Sequence, residues 1–314
     1  MSALRIAMGA TERSALQRPS ARFRSARAAF EAYLRSKGIG VGKVVLLPAY
    51  IGWSAREGSG VMDPVRAVGA APRFYRMTRS LEIDIEHLRE QLYATQPSAL
   101  VVIHFFGWPD PAWREAITLA AEHGVPVMED EAHSWLSDVV GGVCGRSGEA
   151  SIFSTHKLLP SGDGGELVAN ARYAESERCA AFAEADVAAP CHRADYDLTA
   201  IAARRVANAE TVLRFAHAME GISPLRLTIP PGVIPQTLPV VVRNASRDSI
   251  YFAMNEAGFG GTSLYHTLID EISGTEFPDA HWLARRIFNL PVHQDAATSD
   301  LPAMMTKLAE LLAP

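Results

Sequence analysis

Short apolar runs alternate with amphipathic stretches through the first half of the chain. Ala29, Phe30, Tyr33 and Leu34 recur at helical spacing, which predicts a helix over 25–37 closed by Gly38 and Gly40. The run at 44–47 is apolar and stopped by Pro48, as a buried strand would be. A helix over 63–68, a strand over 73–75 and a helix over 85–93, capped by Asp84, follow. Residues 99–105 are apolar except for His104 and read as a strand. A helix over 111–123 ends at Gly124, and strands are expected at 125–128 and 166–169. Residues 1–22 read as an irregular lead-in.

The character changes after Asn170. Helices are expected over 173–186 and 198–219, and Pro224, Pro230, Pro231 and Pro235 mark a linker. A strand at 239–242 and helices over 246–257, 280–287 and 301–312 complete the pattern. Two units are therefore expected: a large α/β domain over 1–235 and a small α+β domain over 236–314. The strands of the first unit are apolar along their length, which calls for helices on both faces of a mainly parallel sheet, a three-layer α/β/α arrangement. Ligands of such sheets bind beyond the carboxyl ends of the strands. His104, Asp130 and Lys157 all fall at or just past such ends.

Composition narrows the partners. The 314 residues are 48% hydrophobic and 21% charged, with a formal net charge of -5. This is globular material with no basic stripe, so no nucleic-acid partner is expected. No apolar run approaches the roughly 20 residues of a membrane span. Three scattered cysteines without a CxxC pair suit a reducing, cytoplasmic setting.

Two segments carry the candidate chemistry. Glu129-Asp130-Glu131-Ala132-His133 closes one strand, and Ser154-Thr155-His156-Lys157 leads to Gly162-Asp163-Gly164-Gly165. The letters DEAH occur in the first, but a helicase also needs a phosphate loop. The glycines at 38–42 lack its first Gly and its hydroxyl, and they precede a strand rather than a helix. No metal is expected either, because neighbours on a strand face opposite sides and cannot converge on one ion. Lys157 is either a surface lysine or a lysine set for Schiff-base chemistry beside hydroxyls and glycines that suit a phosphate. Asp130 is either a cap or surface acid, or the partner of a pyridinium nitrogen. His133 either fills the core or stacks on a bound ring.

These segments resemble the DegT/StrS group of pyridoxal phosphate (PLP) aminotransferases, of fold type I. The family's EDxAQ or EDxAH-like segment is matched by Glu129 to His133. Its Phe-Ser, lysine and GEGG-like turn are matched by Phe153, Ser154, Lys157 and Gly162 to Gly165. Softer matches are the segment from Val102 to Gly107, Leu46 to Tyr50, Arg204-Arg205 with Asn208, and Leu290 to His293. The resemblance implies that Lys157 links to PLP as an aldimine and then shuttles the proton, that Asp130 pairs with the ring nitrogen, and that His133 contacts the ring. It implies phosphate contacts from Ser154, Ser25 and Ala26, and Tyr50 or Trp53 against the ring. His104, Arg204, Tyr265 and His266 are expected near the substrate. The implied activity moves an amino group from a glutamate-like donor to a keto acceptor, such as a keto sugar or related metabolite, in a homodimer. A lyase, decarboxylase or carbon–carbon bond-forming enzyme on the same fold is the alternative. Three departures stand out. Two fewer residues separate Ser154 from Lys157 than is common, Ser25-Ala26 replaces a Gly-Thr pair, and the region from 171 to 235 is compressed.

Overall fold

The computed structural model describes residues 18–160, 164–170 and 196–313. Seven strands form one sheet: β1 (Ser20–Phe23), β2 (Val44–Pro48), β3 (Ala71–Tyr75), β4 (Ala99–Ile103), β5 (Val127–Asp130), β6 (Ala150–Ser154) and β7 (Gly165–Ala169), in the order β1-β7-β6-β5-β4-β2-β3. Pairings from β3 to β6 are parallel, while β7 runs antiparallel to both β6 and β1. This is the expected α/β fold with a mainly parallel sheet. Every residue of β4, β5, β6 and β7 is buried, which is why those runs are mostly apolar.

One expectation is corrected at the start. The lead-in is not irregular to residue 22, because Ser20–Phe23 is an edge strand. Its alternation is two residues deep, with Ala21 and Phe23 turned inward and Ser20 and Arg22 outward. The helix α1 (Ala26–Ser36) follows, and Ser25 caps it by accepting a hydrogen bond from Ala28 N at 3.2 Å. Helices α2 (Met62–Ala67), α3 (Ile85–Thr95) and α4 (Trp113–Glu122) connect the parallel strands, and Asp84 caps α3 as expected. A short helix, α5 (Trp135–Val139), follows β5.

The long helix α6 (Leu198–His217) leads to a second sheet of β8 (Ile222–Pro224), β9 (Thr237–Val242) and β10 (Ile287–Pro291), all antiparallel. Its first strand is thus drawn from ahead of residue 235. Helices α7 (Arg247–Glu256), α8 (Pro278–Ala284) and α9 (Asp300–Leu312) complete this part. The helix expected over 280–287 stops at Ala284, and Ile287 begins β10 instead, where the apolar run pairs with β9. The helix expected over 173–186 lies outside the described residues. Among the described residues no helix is long and apolar enough to cross a membrane.

The register of the large sheet sets the site. Ile103, Asp130 and Ile152 stand side by side on β4, β5 and β6. Phe23, Gly165 and Ser154 do the same on β1, β7 and β6.

Candidate active site

Asp130 is the last residue of β5 and is buried. Its Oδ1 accepts from Ala132 N at 2.9 Å, a local turn that delivers His133. The His133 ring is buried and stacks on Phe106, with centroids 5.6 Å apart and planes at 17°. Phe106 N donates to His133 Nδ1 at 3.4 Å, and Lys157 Nζ lies 3.0 Å from His133 Nε2. Lys157 ends a 3-10 turn, Thr155–Lys157, that begins where β6 stops. Two neighbouring strand ends and one turn thereby bring Asp130, His133 and Lys157 into a single group.

The electrostatics follow from crowding. Lys157 is exposed as a residue, yet the protein atoms around its amine desolvate it and lower its pKa, against the pull of the Asp130 and Glu57 carboxylates. Burial also pushes His133 well below the usual histidine range, and the Lys157 charge adds to that. The hydrogen bonds agree. Because a backbone N–H points at Nδ1, the proton of the neutral ring belongs on Nε2, where it faces the amine. A neutral lysine accepts that bond and an ammonium does not. Burial raises the Asp130 pKa; the Ala132 N–H and the Lys157 charge oppose the rise.

A second group lies one strand further along. Ser154 is buried at the end of β6, and its Oγ is 3.3 Å from His156 Nδ1. Its partner across the ladder, Gly165, presses on the start of α1. A Cβ there would lie 2.0 Å from the carbonyl carbon of Ser25 and 2.4 Å from Ala26 N. Ser25, Ala26 and Ser154 are therefore gathered at a helix N-terminus, whose free N–H groups favour an anion. Tyr50 is buried, accepts from Tyr265 N at 2.9 Å, and packs its ring 5.6 Å from Phe105 and 5.8 Å from Tyr265. The Tyr265 ring lies 6.4 Å from His133. Burial raises the Tyr265 phenol, and the nearby Asp130 charge raises it further.

Comparison with known proteins identifies the family and the fold. The model of the DegT/DnrJ/EryC1/StrS aminotransferase family matches residues 18–195. The chain belongs to that family. The fold is shared with the aminotransferase TlmJ from Streptoalloteichus hindustanus, at 22% identity and a TM-score of 0.75, over 93% of this chain and 85% of that one. The PLP form of the putative sugar aminotransferase Spr1654 from Streptococcus pneumoniae is similar over 94% and 87%, at 17% identity and a TM-score of 0.78. DesV of S. venezuelae, solved with a ketimine intermediate, is similar over 95% and 86%, at 19% identity and a TM-score of 0.72. The chain is thus an aminotransferase-family enzyme on the fold-type-I architecture.

Other residues expected at the site are placed elsewhere or at its margin. His104 is turned away from a substrate contact: its Nε2 meets Glu129 at 3.0 Å and its Nδ1 accepts from Asp110 N at 3.3 Å, in full burial. Both nitrogens are spent on the protein. Arg204 is exposed and reaches Ala296 O at 3.4 Å; it is the next residue, Arg205, that turns inward. The helix decides this, since neighbours on α6 are about 100° apart. Trp53 is 42% exposed, and its N–H pairs with Thr267 O, so its backbone joins the segment that carries Tyr265. His266 is exposed and its Nδ1 is 3.2 Å from Ser263 O. Gly162 and Asp163 lie outside the described residues.

Reading the sequence assigned no individual role to Phe106, Glu57, Gln236 or Glu129. Phe106 holds a left-handed φ of 60°, an unusual state for a bulky residue, and that turn lays its ring on His133. Glu57 enters through a loop that Arg27 of α1 holds by its carbonyl at 2.5 Å. Glu129 faces the opposite side of β5 from Asp130. Its carboxylate accepts from Gly145, Ser147 and Gly148 N–H groups and from His104, and those contacts keep its pKa low despite burial. The acid beside Asp130 in the motif is a fastening for the strand.

Proposed function

We propose that this enzyme is a PLP-dependent aminotransferase that moves an amino group from a glutamate-like amino acid to a keto acceptor, a keto sugar or related metabolite. The observation that carries the reading is the 3.0 Å contact of Lys157 Nζ with neutral His133, next to a strand that ends in buried Asp130. The residues suit the cofactor. A helix N-terminus with Ser25, Ala26 and Ser154 fits a phosphate, a stacked histidine fits an aromatic ring, a buried carboxylate fits a ring N–H, and a depressed lysine fits an aldehyde.

When bound, PLP supplies a sink for the electron pair left on the carbon that loses its proton. Lys157 Nζ would hold the cofactor covalently, and its lowered pKa favours the neutral, nucleophilic amine. As a free amine, the same nitrogen would be placed to take the donor's α-proton and to return it. Asp130 would keep a proton on the ring nitrogen, and His133 would lie against the ring. Tyr50, Trp53 and Tyr265 would shield the bound cofactor from water, with Tyr265 and His266 towards the substrate. The acceptor class is supported by DesI, a similar fold solved in the presence of its TDP-sugar product. A homodimer belongs to the same reading and rests on the family likeness, and a cytoplasmic setting rests on the three scattered cysteines.

An absorbance scan of the purified protein tests it. The visible band of lysine-bound cofactor is expected, with loss on adding glutamate and return on adding a keto acid. Lys157→Ala is expected to lack the band. An unchanged spectrum in that variant, or no amine transfer from any amino acid, overturns the proposal; release of carbon dioxide instead points to a decarboxylase.

A further inference from the structure

A closed circuit of four hydrogen bonds runs through the site. Lys157 Nζ meets His133 Nε2 at 3.0 Å, and Phe106 N donates to His133 Nδ1 at 3.4 Å. Gln236 N donates to Phe106 O at 2.8 Å, and the Gln236 side chain returns to Lys157 O at 3.4 Å. Gln236 directly precedes β9, so the circuit ties the lysine turn to the second sheet. Its backbone is seated on Gly107, where φ is +92° and a Cβ would lie 2.3 Å from Gln236 N. Only glycine admits that approach.

Arg205 stands behind this circuit. The residue is fully buried on α6, and its Nη1 donates to Gln236 O at 3.0 Å. Its Nε and Nη2 are buried and have no hydrogen-bond partner among the described residues. Burial lowers its pKa to about 10, with the Asp295 charge opposing. A buried guanidinium with two unused donors is unfavourable, and an apolar side chain of similar length would pack there more cheaply. Packing alone does not account for an arginine at this position.

We infer that Arg205 and Gln236 are positioning residues, a strut that sets the lysine turn and the Phe106–His133 stack in register for amino transfer. This rests on the proposed function for its catalytic meaning, while the geometry it describes does not. Arg205 acts through the Gln236 carbonyl, and Gln236 acts through its amide on the turn. Losing either frees the turn, and the Lys157 amine leaves His133 for water.

The test uses Arg205→Met, Arg205→Lys, Gln236→Leu and the Arg205→Met/Gln236→Leu double variant. The first readout is the rate of Lys157 acylation against pH, followed by peptide mass spectrometry on protein freed of cofactor. The profile is expected to move towards that of a free lysine in Arg205→Met and Gln236→Leu, and back in Arg205→Lys. The second is steady-state transfer. An ångström of misplacement lowers kcat by about 10²-fold, with KM for the donor held within about two-fold. The double variant is expected to be no worse than Arg205→Met, because both changes break one linkage. Unmoved acylation profiles with unchanged kcat, or losses that add in the double variant, overturn the strut. Should Arg205→Met fail to fold, Gln236→Leu, which removes one amide, decides by the same readouts. Wild-type protein that binds no PLP defeats the proposed function instead, and the acylation profiles still judge the strut.

Discussion

Replacing Gly165 with alanine probes the anion seat with a single methyl group. The backbone there needs no glycine for its φ; space alone forbids a side chain. The new Cβ would meet the Ser25 carbonyl carbon at 2.0 Å, its oxygen at 2.1 Å and Ala26 N at 2.4 Å, all backbone atoms. Ordinary contact begins at 3.4 Å, so β7 and the start of α1 must part by about 3.4 − 2.0 = 1.4 Å. No rotamer change relieves it. Forcing one methyl group into a packed interior costs about 2 kcal/mol, which lowers Tm by roughly 4 °C in a chain of this size. The same displacement carries the N–H groups of α1 away from Ser154 and spoils their convergence on a phosphate. Affinity for PLP is therefore expected to fall about 10²-fold. Affinity for pyridoxal, which has no phosphate, is expected to change far less. Fluorescence titration with both aldehydes, beside a thermal melt, measures the difference. A variant with wild-type Tm and an undiminished preference for the phosphorylated aldehyde would refute the reasoning.

Glu129→Gln leaves one oxygen where two carboxylate oxygens each accept two hydrogen bonds, so an amide NH₂ faces a pair of donors. The expected loss is about 3 kcal/mol in urea unfolding; a change under about 1 kcal/mol would contradict it. The folded pKa of Lys157 lies below its unfolded value, near 10.4. Between the two the unfolded chain binds more protons, so this residue makes stability rise with pH in that window. In protein freed of cofactor, Lys157→Met should flatten that part of the stability profile, and parallel profiles would sink the prediction. Arg204→Ala removes an exposed side chain with one long contact, so Tm and both KM values should stay near wild type; a large rise in either KM would return Arg204 to the substrate site.

Much of the frame was legible because its cause is local. Apolar runs bounded by Pro48 and Gly124 mark strand and helix limits, and Ser25, Asp84 and Ser246 cap the helices that follow them. The edge strand at Ser20–Phe23 escaped notice because four residues among arginines carry only one full alternation, and its pairing partner lies at 165–168. The run at Ile287–Pro291 was open to either period, since short apolar stretches fit a helix or a strand equally. Only the ladder with β9 decides it.

The sequence by itself determined the family likeness and which groups stand at the strand ends. Asp130 and Lys157 stand at fixed offsets from strands whose apolar runs are local, and two hydroxyls, Ser154 and Thr155, precede the lysine. Tertiary structure alone decided what those groups meet. It placed Glu129 and His104 together away from the lysine, chose Arg205 over Arg204, and brought Gln236 from 79 residues away onto the lysine turn. The reason is physical: strand and helix periods are written in neighbouring residues, whereas a contact between distant segments exists only after the packing of both has been settled.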